Sequence, residues 1–133
     1  MNIDLLVVGK TDSAEIQSLV ATYLKRLNFY TRVTLVTLPD LKNTRNISAE
    51  SQKRQEGELL MRQFADGDYV VLLDEKGAEM RSVEFSMWLQ KRMNSGVRRL
   101  CFVIGGPYGF SKTVYDRADE SISLSRMTFS HQI

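Results

Sequence analysis

Apolar positions along the chain follow two periods in alternation, one suited to strands and the other to helices. Residues 3–8 form a nearly continuous apolar run, broken by Asp4 and closed by Gly9, as in a strand buried on both faces. Asp12 and Glu15 have the spacing of a capping box. Beyond them Ile16, Leu19, Val20, Tyr23, Leu24 and Leu27 recur at helical spacing, which predicts an amphipathic helix. Residues 32–38 alternate, carry β-branched side chains and stop at Pro39, so they read as a second strand. Residues 40–47 are polar and aperiodic, hence a loop. A second helix is predicted over 48–66, with Leu59, Leu60 and Phe64 inward and Gly67 as its stop. Residues 68–73 are the clearest strand, and 74–79 read as a charged loop containing Gly77. Ser82 is expected to cap a third helix that carries Phe85, Trp88, Leu89 and Met93 and ends at Gly96. The next strand covers 100–104. After the loop 105–110, Ser111 is expected to cap a short helix to about residue 120, and 122–124 form a last strand.

Strands separated by crossover helices predict an α/β fold, a mostly parallel five-stranded sheet with helices on both faces. No repeat or low-complexity linker divides the chain, so residues 1–133 read as a single domain. The 43% hydrophobic and 26% charged fractions exclude a disordered chain. No apolar run approaches the ~18 residues that cross a bilayer, so no membrane association is expected. The first residues lack the basic stretch of a secretory signal. A lone cysteine, Cys101, forms no internal disulfide, and a cytoplasmic location is expected. One histidine and one cysteine cannot build a structural zinc site, and no metal is expected.

A net charge of +2 selects no partner, but its distribution offers two candidates. Lys91, Arg92, Arg98 and Arg99 fall in a stretch without acids, and Lys42, Arg45, Lys53 and Arg54 form a looser group. Each is either a solvated face or a phosphate-facing surface, and the first is the stronger candidate.

Parallel sheets bind ligands beyond the carboxyl ends of their strands, which directs attention to three loops. Gly105, Gly106 and Gly109 let backbone amides approach a ligand, Pro107 stiffens the loop, and a side chain at 105 would occupy ligand space. The spacing is neither the dinucleotide fingerprint nor a Walker loop, and it also suits a plain strand-to-helix turn. Asp74 and Glu75 are candidates for a base or for holding a ribose hydroxyl, or are simply solvated. Leu124, Met127 and Phe129 either plug the core or line a pocket for a flat ring. His131, the only histidine, completes no hydrolytic constellation, and Cys101 reads as an inert core residue.

Five segments together carry a resemblance over the whole chain. They are Ile3-Asp4-Leu5-Leu6-Val7-Val8-Gly9-Lys10, Tyr23-x-x-Arg26, Leu73-Asp74-x-x-Gly77, Phe102-Val103-Ile104-Gly105-Gly106-Pro107-Tyr108-Gly109 and Leu124-Ser125-Arg126-Met127-Thr128-Phe129-Ser130-His131-Gln132. The chain resembles the RlmH family of SPOUT methyltransferases, which methylate N3 of a pseudouridine in 23S ribosomal RNA. The resemblance implies a trefoil-knotted fold, a homodimer, the ribosome as RNA partner and S-adenosylmethionine as methyl donor. It also implies cofactor contacts at Leu73, Gly105, Leu124, Ser125, Arg126, Met127, Thr128 and Phe129, and names no catalytic residue. In that family the helix that closes the knot lies beyond the position of Ile133, and a chain lacking it is expected to be inactive. An RNA-binding module without turnover and a flavodoxin-like nucleotide domain are the competing readings, the latter disfavoured by the absent phosphate fingerprints.

Overall fold

In the computed structural model, which describes residues 1–9, 13–41 and 46–127, strands and helices alternate as the periodicity predicts. They are β1 (Asn2–Val8), α1 (Ala14–Leu27), β2 (Arg32–Leu38), α2 (Ala49–Met61) and β3 (Tyr69–Glu79), then α3 (Ser82–Met93), β4 (Arg99–Ile104), α4 (Lys112–Arg117) and β5 (Glu120–Ser123). The sheet has the order β2-β1-β4-β3-β5 and every pairing is parallel. Successive connections therefore run in alternate directions across the sheet. Right-handed crossovers then put α1 and α3 on one face and α2 and α4 on the other.

Packing agrees with that rule. On one face Leu6, Val70, Leu72, Cys101 and Val103 meet Leu60 of α2 and Val114 of α4. On the other, Ile3, Val71, Leu100 and Ile122 meet Phe85, Trp88 and Leu89 of α3. Val70 and Leu72 face one way and Val71 the other, so β3 is buried on both sides, as its unbroken apolar run requires. Among the described residues no helix is long and apolar enough to cross a membrane.

Element boundaries depart from the sequence reading where distant parts of the chain intervene. Ser13 caps α1, its Oγ accepting from the Ile16 N–H at 3.2 Å, while Asp12 lies outside the described residues. Arg81 caps α3 in place of Ser82, with the Glu84 carboxylate accepting from the Arg81 N–H at 3.2 Å. The second helix stops at Met61 because the Asp68 carboxylate accepts from the Ala65 N–H at 2.9 Å and closes a turn before β3. Residues 74–79 are strand and not loop. After a register break at Leu73, β3 rejoins β5 through Ala78 and Glu79. The short helix ends at Arg117 because Asp119 is drawn into the sheet, its N–H donating to the Val70 carbonyl and its carboxylate accepting from the Val70 N–H, both at 2.8 Å. The last strand consequently begins at Glu120 and leaves Leu124 beyond its end.

Half of the apolar stripe on α1 finds no cover. Ile16, Val20 and Leu24 are partly buried, but Leu19, Tyr23 and Leu27 remain 56%, 54% and 45% exposed.

Candidate functional site

Beyond the carboxyl ends of β3 and β4 and past the end of β5, the chain encloses a cleft of about 840 Å³. That volume lies within the range of small-molecule sites, and its position is where parallel sheets hold ligands. Leu73, Ile104, Leu124 and Met127 supply its apolar surface, the glycine loop another wall, and Lys53, Asp74, Glu75 and Lys76 polar groups.

The glycine loop is shaped by its own sequence. The Gly109 N–H donates to the Gly106 carbonyl at 3.2 Å, closing a turn with Pro107 at its second position. Gly109 has φ +82°, the left-handed region that glycine enters without strain. Gly105 lines the cleft and also packs closely against Phe110. A Cβ there would lie 3.1 Å from Cε1 of the Phe110 ring, a tight approach that favours the absence of a side chain.

The third stretch is pinned at several points. Ser123 Oγ donates to the Ser125 carbonyl at 2.9 Å, and the Met127 N–H donates to Ser125 Oγ at 3.0 Å. The Arg126 guanidinium donates to the Glu79 carboxylate at the end of β3. Of the expected cofactor contacts, Leu73, Gly105, Leu124, Ser125 and Met127 converge on the cleft. Arg126 does not line it, and Thr128 and Phe129 lie outside the described residues, as does His131. Leu124 and Met127 are 78% and 70% exposed, apolar surface at the mouth of a cleft.

Asp74 lines the cleft with a partner that sequence reasoning missed. The Tyr115 hydroxyl donates to Asp74 Oδ2, while Asp74 Oδ1 accepts from the Lys76 N–H at 3.2 Å. Burial, and then the hydrogen bond to Asp74, push the Tyr115 phenol up to about 12, so it stays a donor at neutral pH. The only signal in the sequence was its place on the helix that follows the glycine loop.

The amino end of the sheet uses its charges internally. Arg99 donates through Nε to Asp4 at 2.7 Å and through Nη1 to Asp68 at 2.6 Å and the Gln63 carbonyl at 2.9 Å. Arg92 lies over the Tyr69 ring, 4.9 Å from its centroid, and donates to the Tyr69 hydroxyl at 3.1 Å. Two of the four cations in the favoured basic cluster are thus bound to protein, at the end of the sheet opposite the cleft. Lys53, from the other group, lines the cleft and is likewise paired, its Nζ 3.1 Å from Glu50. Lys42 and Arg45 of that group lie outside the described residues.

A parallel α/β sheet with a cleft bordered by a glycine loop beyond its strands is the architecture of the α/β class, whose ligand sites lie at that edge. Comparison with known proteins gives its family. A family model described as "Predicted SPOUT methyltransferase" matches residues 1–133, and the chain belongs to that family. The sheet is consistent with the family's trefoil-knotted arrangement, an exception to unknotted topology. The chain is 53% identical over 133 residues to a protein of Flavobacterium johnsoniae named ribosomal RNA large subunit methyltransferase H. It is 52% and 50% identical to proteins of the same name from Christiangramia forsetii and Parabacteroides distasonis. Each match covers all of this chain and 85% of the relative.

The phenols make a prediction about alkaline pH. Tyr69, partly buried and hydrogen-bonded to Glu120, is pushed up to about 12 like Tyr115, and burial raises the Cys101 thiol to about 11. A raised folded-state pKa means that the unfolded chain releases its proton first as pH rises. These groups therefore leave stability intact below about pH 9 and reduce it progressively toward pH 12. Urea unfolding measured across that range checks this, and Tyr115→Phe is expected to shallow the decline. An equally steep decline in Tyr115→Phe would contradict the assignment for that phenol.

Proposed function

We propose that this chain transfers a methyl group from S-adenosylmethionine to N3 of a pseudouridine in 23S ribosomal RNA, acting on the ribosome as a homodimer. One observation carries the reading: Leu73, Gly105, Leu124, Ser125 and Met127 come from three separate segments and meet around one cleft. Family membership and the names of the relatives support it.

The residues suit the donor. Leu73, Ile104, Leu124 and Met127 offer apolar surface to an adenine ring, the loop beginning at Gly105 presents main-chain groups at close range, and Ser125 shapes the wall. Arg126 holds that wall to β3 through Glu79. Thr128 and Phe129 complete the proposed set on the family's pattern. Bound S-adenosylmethionine supplies a methyl group activated on a sulfonium.

The chain's part is to align donor and acceptor and to favour the imide that has lost its N3 proton. Lys76 lines the cleft and offers positive charge for that anion, as does Lys53 beside its ion partner Glu50. Asp74 is held by Tyr115 and fixes the rim beside them.

Ribosomes lacking the modification, incubated with the protein and S-adenosylmethionine, should gain a methyl group at N3 of one pseudouridine. A folded protein that binds ribosomes without transferring methyl would contradict the reading and leave an RNA-binding module. Lys53→Gln should weaken ribosome binding and lower its salt slope by about one, the change for one lost phosphate contact. An unchanged slope would place Lys53 away from RNA.

The uncovered stripe of Leu19, Tyr23 and Leu27 supports a second copy as its cover. Light scattering should give twice the 15.2 kDa chain mass, and Tyr23→Glu should shift the protein toward monomer. A monomer at micromolar concentration would contradict the dimer.

A further inference from the structure

Glu56 and Gly57 sit side by side on the inner face of α2, and both are buried. A glutamate that is only 5% exposed is unusual in a globular domain and needs a structural reason. Its reason lies across the chain, in the glycine loop. A Cβ built on Gly106 would fall 2.4 Å from Glu56 Oε1 and 2.6 Å from Oε2. The carboxylate thus fills the space that any other residue at 106 would need for its side chain.

The next residue makes a matching approach. A Cβ on Gly57 would fall 2.4 Å from Ser111 Oγ and 3.3 Å from Val114 Cγ2, at the start of α4. One turn of α2 therefore grips the loop near both ends, through Glu56 at Gly106 and Gly57 at Ser111. Gln52, one turn earlier, donates to Glu56 Oε2 at 3.5 Å and helps orient the carboxylate. Glu56 itself does not line the cleft, whereas Gly105, Gly106 and Gly109 do.

We propose that Glu56 is a positioning residue: it supports the glycine loop from behind and holds it in the shape that receives the methyl donor. The inference rests on the cleft being the donor site, as argued above. Glu56 acts through Gly106 and touches neither donor nor RNA.

A coupling cycle tests it, with S-adenosylmethionine affinity read by calorimetry and folding checked by circular dichroism and Tm. Gly106→Ala should weaken binding roughly tenfold by driving a methyl group into the carboxylate, a size within reach of directly touching residues. Glu56→Ala should weaken it to a similar extent by leaving the loop unsupported. The double variant should bind no more weakly than Glu56→Ala alone, because the clash has gone. In turnover assays KM for the donor should rise with Kd while kcat at saturating donor is kept, whereas a purely structural defect would lower kcat through lost folded enzyme.

Should Glu56→Ala not fold, Glu56→Asp is one methylene shorter and runs the same cycle. Additive losses, or wild-type affinity in the variant at position 56, would overturn the role of Glu56. Failure of the unaltered protein to bind S-adenosylmethionine would instead overturn the donor site.

Discussion

The cleft depends on three places where backbone is packed closer than a side chain permits. A Cβ on Gly57 would lie 2.4 Å from Ser111 Oγ, and one on Gly106 2.4 Å from Glu56 Oε1. A Cβ on Gly77 would lie 2.6 Å from the Ser121 carbonyl carbon. The first contact docks α2 on α4, the second seats the glycine loop on α2, and the third lets the outer part of β3 lie against β5. Together they draw the walls of one site from segments far apart in sequence. Interiors packed to crystal density do not absorb an added methyl group at such points without moving something.

The two ends of the sheet are built for different purposes. At the amino end, Arg99 ties Asp4 on β1 to Asp68 ahead of β3, and Glu120 accepts from Tyr69 at 2.5 Å and from Trp88 at 3.0 Å. Such partly buried charges stabilise only as a complete set, because removing one partner strands the other. At the carboxyl end the same strands finish in glycines, short polar turns and exposed apolar side chains.

Much of this was legible in the residues. Apolar runs, unbroken but for Asp4 in the first, marked β1, β3 and β4 because parallel strands are buried on both faces, and the glycine loop announced a close approach. What escaped notice was whatever depended on a distant partner. Nothing near Asp119 reveals that it will bond Val70 and cut α4 short. Nothing near Arg99 reveals that Asp4 and Asp68 will claim it, so its cluster looked free for phosphate. Nothing near Glu56 reveals that Gly106 will rest against its carboxylate. Leu73, Gly105 and Leu124 were assigned to one site through a family pattern, since spacing alone left them unconnected.

The central claim is that the ends of β3, β4 and β5 form one donor site at the carboxyl edge of the sheet. The most direct measurement is a titration of S-adenosylmethionine into isotope-labelled protein, followed through its backbone amide resonances. The account predicts saturable shifts concentrated at residues 73–76, 104–110 and 124–127, with Arg99, Asp68 and Tyr69 little changed. Shifts centred on the amino edge, or none at millimolar donor, would contradict it.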